Sequence, residues 1–273
     1  MATSAHVDTF ARDHLPPPAA LPEFLFELPE LQLPERLNVA TELLDRWVDQ
    51  GQGGRTAVIG ERDGQPFAWT YAELQQRANR IAHVLVSHMG LVPGNRVLLR
   101  GANTPMLAAC WFGVIKAGGI AVGTMPLLRE RELQPIIDKA RITHALCDAR
   151  LADALRGAQG LCPQLAQVRF FNGDGGDGSL EAEMAAQPSS FATVDTAADD
   201  TALIAFTSGT TGVPKGTMHF HRDVIAACRC WPPHVLRPTP EDRFIGSPPL
   251  AFTFGLGGLL MFPLAIGAST VLL

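Results

Sequence analysis

Between Thr70 and Cys147, short apolar runs alternate with helical patterns, and the connections between them are only a few residues long. This alternation constrains the fold more than any other feature. Parallel strands need a helix-sized crossover between them, whereas antiparallel strands need only a turn. Thr70-Tyr71-Ala72-Glu73 reads as a capping box, in which Thr70 and Glu73 satisfy open amides of a first helical turn reciprocally. The helix it opens carries Leu74, Ala78, Ile81 and Leu85 on one face. Pro93-Gly94-Asn95 turns the chain into a buried strand over 96–100, and a helix over 105–116 ends at Gly118-Gly119. A strand begins at Ile120, and a helix over 131–140 leads to another strand over 143–147. The expected fold class is α/β, with mainly parallel sheets flanked by helices.

The rest of the chain divides by composition. Residues 1–40 are Pro-rich and predict an irregular arm on the surface of the body. Residues 41–171 form a first α/β subdomain. Residues 172–200, rich in Gly, Asp, Ala and Ser, read as a connecting segment, and 201–273 as the start of a second α/β subdomain. The connecting segment contains a literal GxGxxG at Gly173, Gly175 and Gly178, but Asp174 and Asp177 would lie against a pyrophosphate and no amphipathic helix follows. It reads as a solvated acidic turn rather than a dinucleotide fingerprint. After Arg243 no charged residue occurs, yet Gly255, Gly257, Gly258, Pro263 and Gly267 break the apolar run into pieces. A buried helix followed by a buried strand over 269–273 fits better than a membrane span. A strand that stops at Leu273 without a closing turn reads as a truncated chain.

With 273 residues, 47% of them hydrophobic, the chain can bury a sizeable core. A net charge of −5 leaves no footprint for nucleic acid or an anionic membrane, so any bound anion needs a local site. Five cysteines scattered through apolar segments read as reduced thiols, and no apolar leader precedes a cleavage site, which together predict a cytoplasmic protein.

One local site is conspicuous. The apolar strand Leu203-Ile204-Ala205-Phe206 runs into Thr207-Ser208-Gly209-Thr210-Thr211-Gly212-Val213-Pro214-Lys215-Gly216. Glycines let backbone amides approach an anion, hydroxyls add donors, and a lysine supplies charge. The spacing is not that of a Walker A loop, since Lys215 follows Gly212 by three residues.

This loop resembles the signature of the adenylate-forming superfamily, which comprises acyl- and aryl-CoA synthetases, luciferases and peptide-synthetase adenylation domains. Trp69-Thr70-Tyr71-Ala72-Glu73-Leu74 and Gly113-Val114-Ile115-Lys116-Ala117-Gly118-Gly119 resemble earlier motifs of the same family. Met218-His219-Phe220-His221-Arg222-Asp223 and Pro249-Leu250-Ala251-Phe252-Thr253-Phe254-Gly255-Leu256-Gly257 narrow the resemblance to benzoate- and 2-aminobenzoate-CoA ligases. Val7-Asp8-Thr9-Phe10-Ala11-Arg12-Asp13 points to the 2-aminobenzoate group.

The resemblance implies the N-terminal portion of the large domain of an acyl/aryl-CoA synthetase, with the C-terminal half and the small C-terminal domain absent. It implies joining a carboxylate to the α-phosphate of ATP, with loss of pyrophosphate, and then transfer to CoA. An aromatic acid, ATP and CoA would be the partners and Mg²⁺ the cofactor. Carried over by position, Thr207 is a Mg²⁺ ligand and a catalytic residue with Lys215. Ser208, Gly209, Thr210, Thr211, Gly212 and Lys215 close over the β- and γ-phosphates. Phe252 is an aromatic gate, and Phe254 and Gly255 border the acyl pocket. If residues 250–255 are extended, period-two alternation puts both rings on one side as a wall for a flat acid, with Gly255 and Gly257 leaving space beside it. The adenine, ribose, hinge and C-terminal lysine motifs have no counterpart here, so this segment alone is expected to be inactive.

Other readings remain beside it. His219, His221, Cys228, Cys230 and His234 form HxH…CxC…H, which invites zinc but matches no common structural spacing, and a helix over 222–229 crosses the pattern. A nucleotide- or partner-binding module without catalysis, and a fatty acyl-CoA synthetase segment, are the alternatives to an aryl ligase.

Overall fold

The computed structural model describes residues 2–176, 178–207 and 214–273. A short helix α1 (Phe10–Asp13) and, after a long irregular stretch, α2 (Arg46–Asp49) precede the hairpin of β1 (Thr56–Arg62) and β2 (Gln65–Thr70). Next come α3 (Tyr71–His83), β3 (Arg96–Arg100), α4 (Pro105–Lys116), β4 (Ile120–Thr124), α5 (Glu130–Lys139) and β5 (His144–Asp148). The chain continues through α6 (Ala152–Leu161), β6 (Gln167–Phe171), α7 (Leu180–Ala185), β7 (Thr201–Thr207), β8 (Lys215–Phe220) and α8 (His221–Trp231). It closes with β9 (Arg243–Ile245), α9 (Thr253–Leu256), α10 (Phe262–Ala265) and β10 (Ser269–Val271).

The strands form two sheets. One has six strands in the order β6-β5-β3-β4-β7-β8, parallel except for the β7–β8 hairpin. The other has four, in the order β2-β1-β10-β9, with only the β1–β2 pair antiparallel. The alternating strand–helix reading is therefore met. Strand pairing cuts across the division expected at residues 172–200, because β7 and β8 extend the sheet of β3–β6 while β9 and β10 join β1 and β2.

Both faces of the six-stranded sheet are covered, as a parallel sheet requires. Val97, Leu99, Ala121 and Leu146 pack with the helices α3 and α4, and Leu98, Val122, Ala145 and Cys147 pack on the other face with Leu133, Ile137 and Leu155 of α5 and α6. The capping box holds α3 in place, the Glu73 amide donating to Thr70 Oγ1 at 3.2 Å and the Thr70 amide to Glu73 Oε2 at 2.8 Å. Leu74, Ala78, Ile81 and Leu85 are all buried. Lys116, at the end of α4, reaches Asp45 at 2.6 Å, and Gln75 and Thr193 donate to the same carboxylate. This buried pair ties α4 to α3, to the turn before α2 and to the connecting segment.

The N-terminal arm carries α1 and two short 3₁₀ turns, and it is anchored. Buried Asp200 accepts from the Ser4 hydroxyl, the Ala5 amide and Arg12, and Asp8 pairs with Arg96 at 2.5 Å. Gly173, Gly175 and Gly178 lie in an exposed turn before α7, and Asp177 falls outside the described residues. Among the described residues no helix is long and apolar enough to cross a membrane. The apolar tail instead makes a helical stretch over 253–265, buried from Gly255 onward along most of its length, with a π-helical turn at Gly257–Met261, and then β10.

Candidate functional site

The β7–β8 hairpin lies at one edge of the six-stranded sheet, with Thr207 directly opposite Lys215 in the register. Both are exposed and stand where the hairpin opens toward the Gly/Thr loop. Ser208, Gly209, Thr210, Thr211 and Gly212 lie outside the described residues. The strands form because Ile204, Phe206 and Met218 have a buried face to pack against. Gly216 sits close beneath its neighbours, where a Cβ would stand 3.0 Å from Ile204 Cγ2 and 3.1 Å from Phe206 Cζ and would push those side chains aside. Lys139, at the end of α5, donates to the Pro214 carbonyl at 2.9 Å and so fixes the residue before Lys215. The other end of the hairpin is buried, where His221 Nδ1 accepts from the Val39 amide at 3.1 Å. Burial drives the His221 pKa down to about 3, so the ring is neutral at physiological pH.

A cavity opens at the C-terminal ends of the parallel strands, the usual ligand position in open α/β sheets. Gly101, Gly123, Thr124 and Ala205 line it with Ala251 and Phe252. Ala205 precedes Thr207 by two residues, so Phe252 and the hairpin border one region. Thr207 offers a hydroxyl oxygen and Lys215 an ammonium, a donor set suited to a hard cation bridging phosphate oxygens and to the phosphates themselves.

The two phenylalanines do not form the single wall expected of an extended segment. Leu250 and Ala251 form a turn closed by the Phe252 amide on the Pro249 carbonyl, Phe252 itself has extended φ −108° and ψ 149°, and α9 begins at Thr253. Alternation by two therefore does not carry from Phe252 to Phe254, because side chains two apart on a helix are roughly 200° apart around its axis. Phe252, 44% exposed, lines the strand-end cavity. Phe254, 80% exposed, lines a second groove with Trp231, Leu236, Phe244 and Gly258. Thr253 borders both. Gly255 lines neither. A Cβ there would stand 2.2 Å from the Pro249 carbonyl oxygen, so its bareness lets the chain fold back on Pro248-Pro249 instead of widening a pocket. Gly257 does line the groove, and Gly258 beside it has open space where a Cβ would stand.

Sequence reasoning passed over Asn103, Gly123 and Thr124, which come from turns and strand ends far from residue 252. The one signal for Asn103 was a polar residue in the short turn before the helix N-cap Thr104. Among the described residues no group of three or more His, Cys, Asp or Glu could hold a metal ion. His221 and Cys228 are buried, whereas Cys230 is exposed.

Comparisons agree with this geometry. A family model described as AMP-binding enzyme matches residues 44–273. The benzoate–CoA ligase of Thauera aromatica is 32% identical over 245 residues, covering 90% of this chain and 46% of that protein. The anthranilate–CoA ligase of Pseudomonas aeruginosa is 31% identical over 210 residues, covering 74% of this chain and 39% of that protein. The crystal structure of the anthranilate CoA ligase AuaEII in complex with anthranoyl-AMP superposes with a TM-score of 0.83 at 27% identity, over 90% of this chain and 46% of that one. The chain thus spans about half the length of the curated relatives it matches, and its two sheets with their helices are those of the N-terminal large domain of adenylate-forming enzymes. The hairpin and the strand-end cavity fall inside the matched region, and the chain belongs to the AMP-binding enzyme family.

Proposed function

We propose that this chain supplies the phosphate-binding and acid-side half of an ATP-dependent aryl-CoA ligase that acts on benzoate-sized acids, 2-aminobenzoate foremost. The observation that carries the reading is the pairing of Thr207 with Lys215 at the mouth of the hairpin, beside a cavity bordered by Phe252. The relatives named for benzoate and anthranilate support the aromatic acid.

In this reading the acid's own carboxylate attacks the α-phosphorus of ATP and pyrophosphate leaves, so the protein's work is to position the reactants and neutralise charge. Lys215 places its ammonium against the departing phosphates, and the hydroxyls and glycines of 208–212 are of a composition suited to donate to them. Thr207 Oγ1 and phosphate oxygens would hold Mg²⁺, which when bound supplies charge neutralisation between phosphates. Phe252 closes the strand-end cavity beside the reacting carboxylate, and Phe254 with the groove around Gly258 receives the ring. An acyl-adenylate formed there is the species CoA then intercepts.

The test is acid-dependent ATP–pyrophosphate exchange over a panel of acids. It is measured on this chain alone and on this chain joined to the second half of the Thauera benzoate–CoA ligase. Exchange is expected only in the joined protein, with 2-aminobenzoate and benzoate ahead of acetate and medium-chain fatty acids. Apolar discrimination of about 1–3 kcal/mol per methylene-sized difference lets small benzoate relatives react as well. A fatty acid at the top of the panel overturns the aryl reading, and robust exchange by the chain alone overturns the half-site reading.

A further inference from the structure

The segment that carries Phe252 and Phe254 is held by one side chain from across the molecule. Asn103 lies in the turn between β3 and α4, just before the helix N-cap Thr104, and is 7% exposed. Its Nδ2 donates to the Pro248 carbonyl at 3.0 Å, and its Oδ1 accepts from the Leu250 amide at 2.8 Å. An amide is the one neutral short side chain that offers a donor and an acceptor side by side, so it completes the segment's backbone pairing as a neighbouring strand would. The rest of the seat has no freedom to compensate. On one side the Ala251 backbone lies against Gly123 of β4, where a Cβ would stand 3.1 Å from Ala251 Cα. On the other side Gly255 folds against the Pro248 and Pro249 carbonyls. The Phe252 amide in turn donates to the Pro249 carbonyl at 3.1 Å, which hands the position of 248–250 on to the first ring.

We propose that Asn103 is the positioning residue of the acid-side wall. By clamping 248–250 it sets where the chain turns helical at Thr253, and hence sends Phe252 into the strand-end cavity and Phe254 into the groove. The inference rests on the aryl-ligase reading, deepens it, and fails separately from it. Asn103 lines neither cavity, so its influence on the acid runs through the backbone it holds.

The experiment titrates 2-aminobenzoate, followed by its own fluorescence, into the 273-residue chain with Mg²⁺ and ATP present, and reads amide exchange at Leu250 in parallel. Asn103→Ala is expected to weaken 2-aminobenzoate about tenfold and to speed exchange at Leu250. Asn103→Asp gives a pH profile that simple loss of packing would not. As a carboxylate it accepts from Leu250 but faces the Pro248 carbonyl without a proton, and affinity is low. Burial against a carbonyl raises this carboxyl above the ordinary aspartate value, and once protonated it again offers both a donor and an acceptor, so affinity returns as pH falls relative to the unsubstituted chain.

Unchanged affinity in Asn103→Ala, or weakened affinity with Leu250 exchange unaltered, overturns the proposal while leaving the ligase reading intact. If Asn103→Ala does not fold, the Asn103→Asp profile decides, and a flat profile overturns it. If the unsubstituted chain binds no 2-aminobenzoate, the same titrations in the joined protein decide, and absence of binding there as well overturns the aryl reading and this inference with it.

Discussion

The two walls of the candidate site are built on opposite physical terms. The phosphate side is a hairpin at a sheet edge, with Thr207 and Lys215 exposed and the chain held mainly by a buried base at His221. The acid side is a segment fixed by backbone contacts to Asn103, Gly123 and Gly255, from which two rings project into separate cavities. Charge can be presented on a lightly anchored element because it acts over distance, whereas shape complementarity needs a wall that does not move. Substitutions of exposed phosphate-side residues should therefore change chemistry and spare stability, whereas those that crowd the acid-side segment should cost stability first.

The strongest way to break this contrast is Gly255→Ala. The added methyl would meet backbone oxygens of Pro249 and Pro248 at 2.2 and 2.7 Å, atoms that cannot rotate away. A loss of about 3 kcal/mol in denaturant-measured stability is expected, at the upper end of overpacking costs. A change within 0.5 kcal/mol, the range of ordinary surface substitutions, would show that the segment is not clamped.

Lys215→Ala should give the opposite result. Losing one charge-assisted contact is expected to slow adenylation in the joined protein by about 1.5–3 kcal/mol, while the thermal midpoint and acid affinity hold. Weakened acid binding at an unchanged adenylation rate would move Lys215 to the other wall.

The base of the hairpin is tested by pH. His221 titrates near 6.5 when unfolded and near 3 when folded, because burial disfavours its charged form. Between those values the unfolded chain takes up a proton that the folded chain refuses. Stability present above pH 6.5 is thus lost as pH falls toward 3, by up to about 1.4 kcal/mol per pH unit from this group. His221→Asn should flatten that slope in urea melts taken across the range, and an unaltered slope would remove His221 from the account.

The smallest effect sharpens the contrast within the acid side. Gly258 lies in a helical turn with open space around a prospective Cβ, so Gly258→Ala should leave stability unchanged or raise it by up to about 1 kcal/mol. It should also narrow the groove beside Phe254, lowering activity on ring-substituted acids before benzoate itself. Equal loss on all acids would argue that the groove does not receive the ring.

Much of the scaffold was legible locally. The Thr70–Glu73 capping box, the helical face of Leu74, Ala78, Ile81 and Leu85, and the apolar strand over 96–100 each depend on residues within a turn or two of one another. Short-range hydrogen bonding and periodicity suffice for such elements. The Gly/Thr run with Lys215 reads as a phosphate-type loop from its composition, and of that run the structure describes Thr207 paired with Lys215 at its two ends. The positions of the two rings were not legible. Extended and helical continuations after Phe252 are both locally reasonable, and the choice follows from Pro248-Pro249, Gly123 and Asn103, the last two separated from it by more than a hundred residues in sequence. Sheet membership was not legible either, since β7 and β8 join an earlier sheet through edge hydrogen bonds that no local pattern encodes. By itself the sequence determined which elements form and where charge and hydroxyls gather. Only the tertiary structure decided which backbones meet, because those contacts join segments whose local preferences are indifferent to one another.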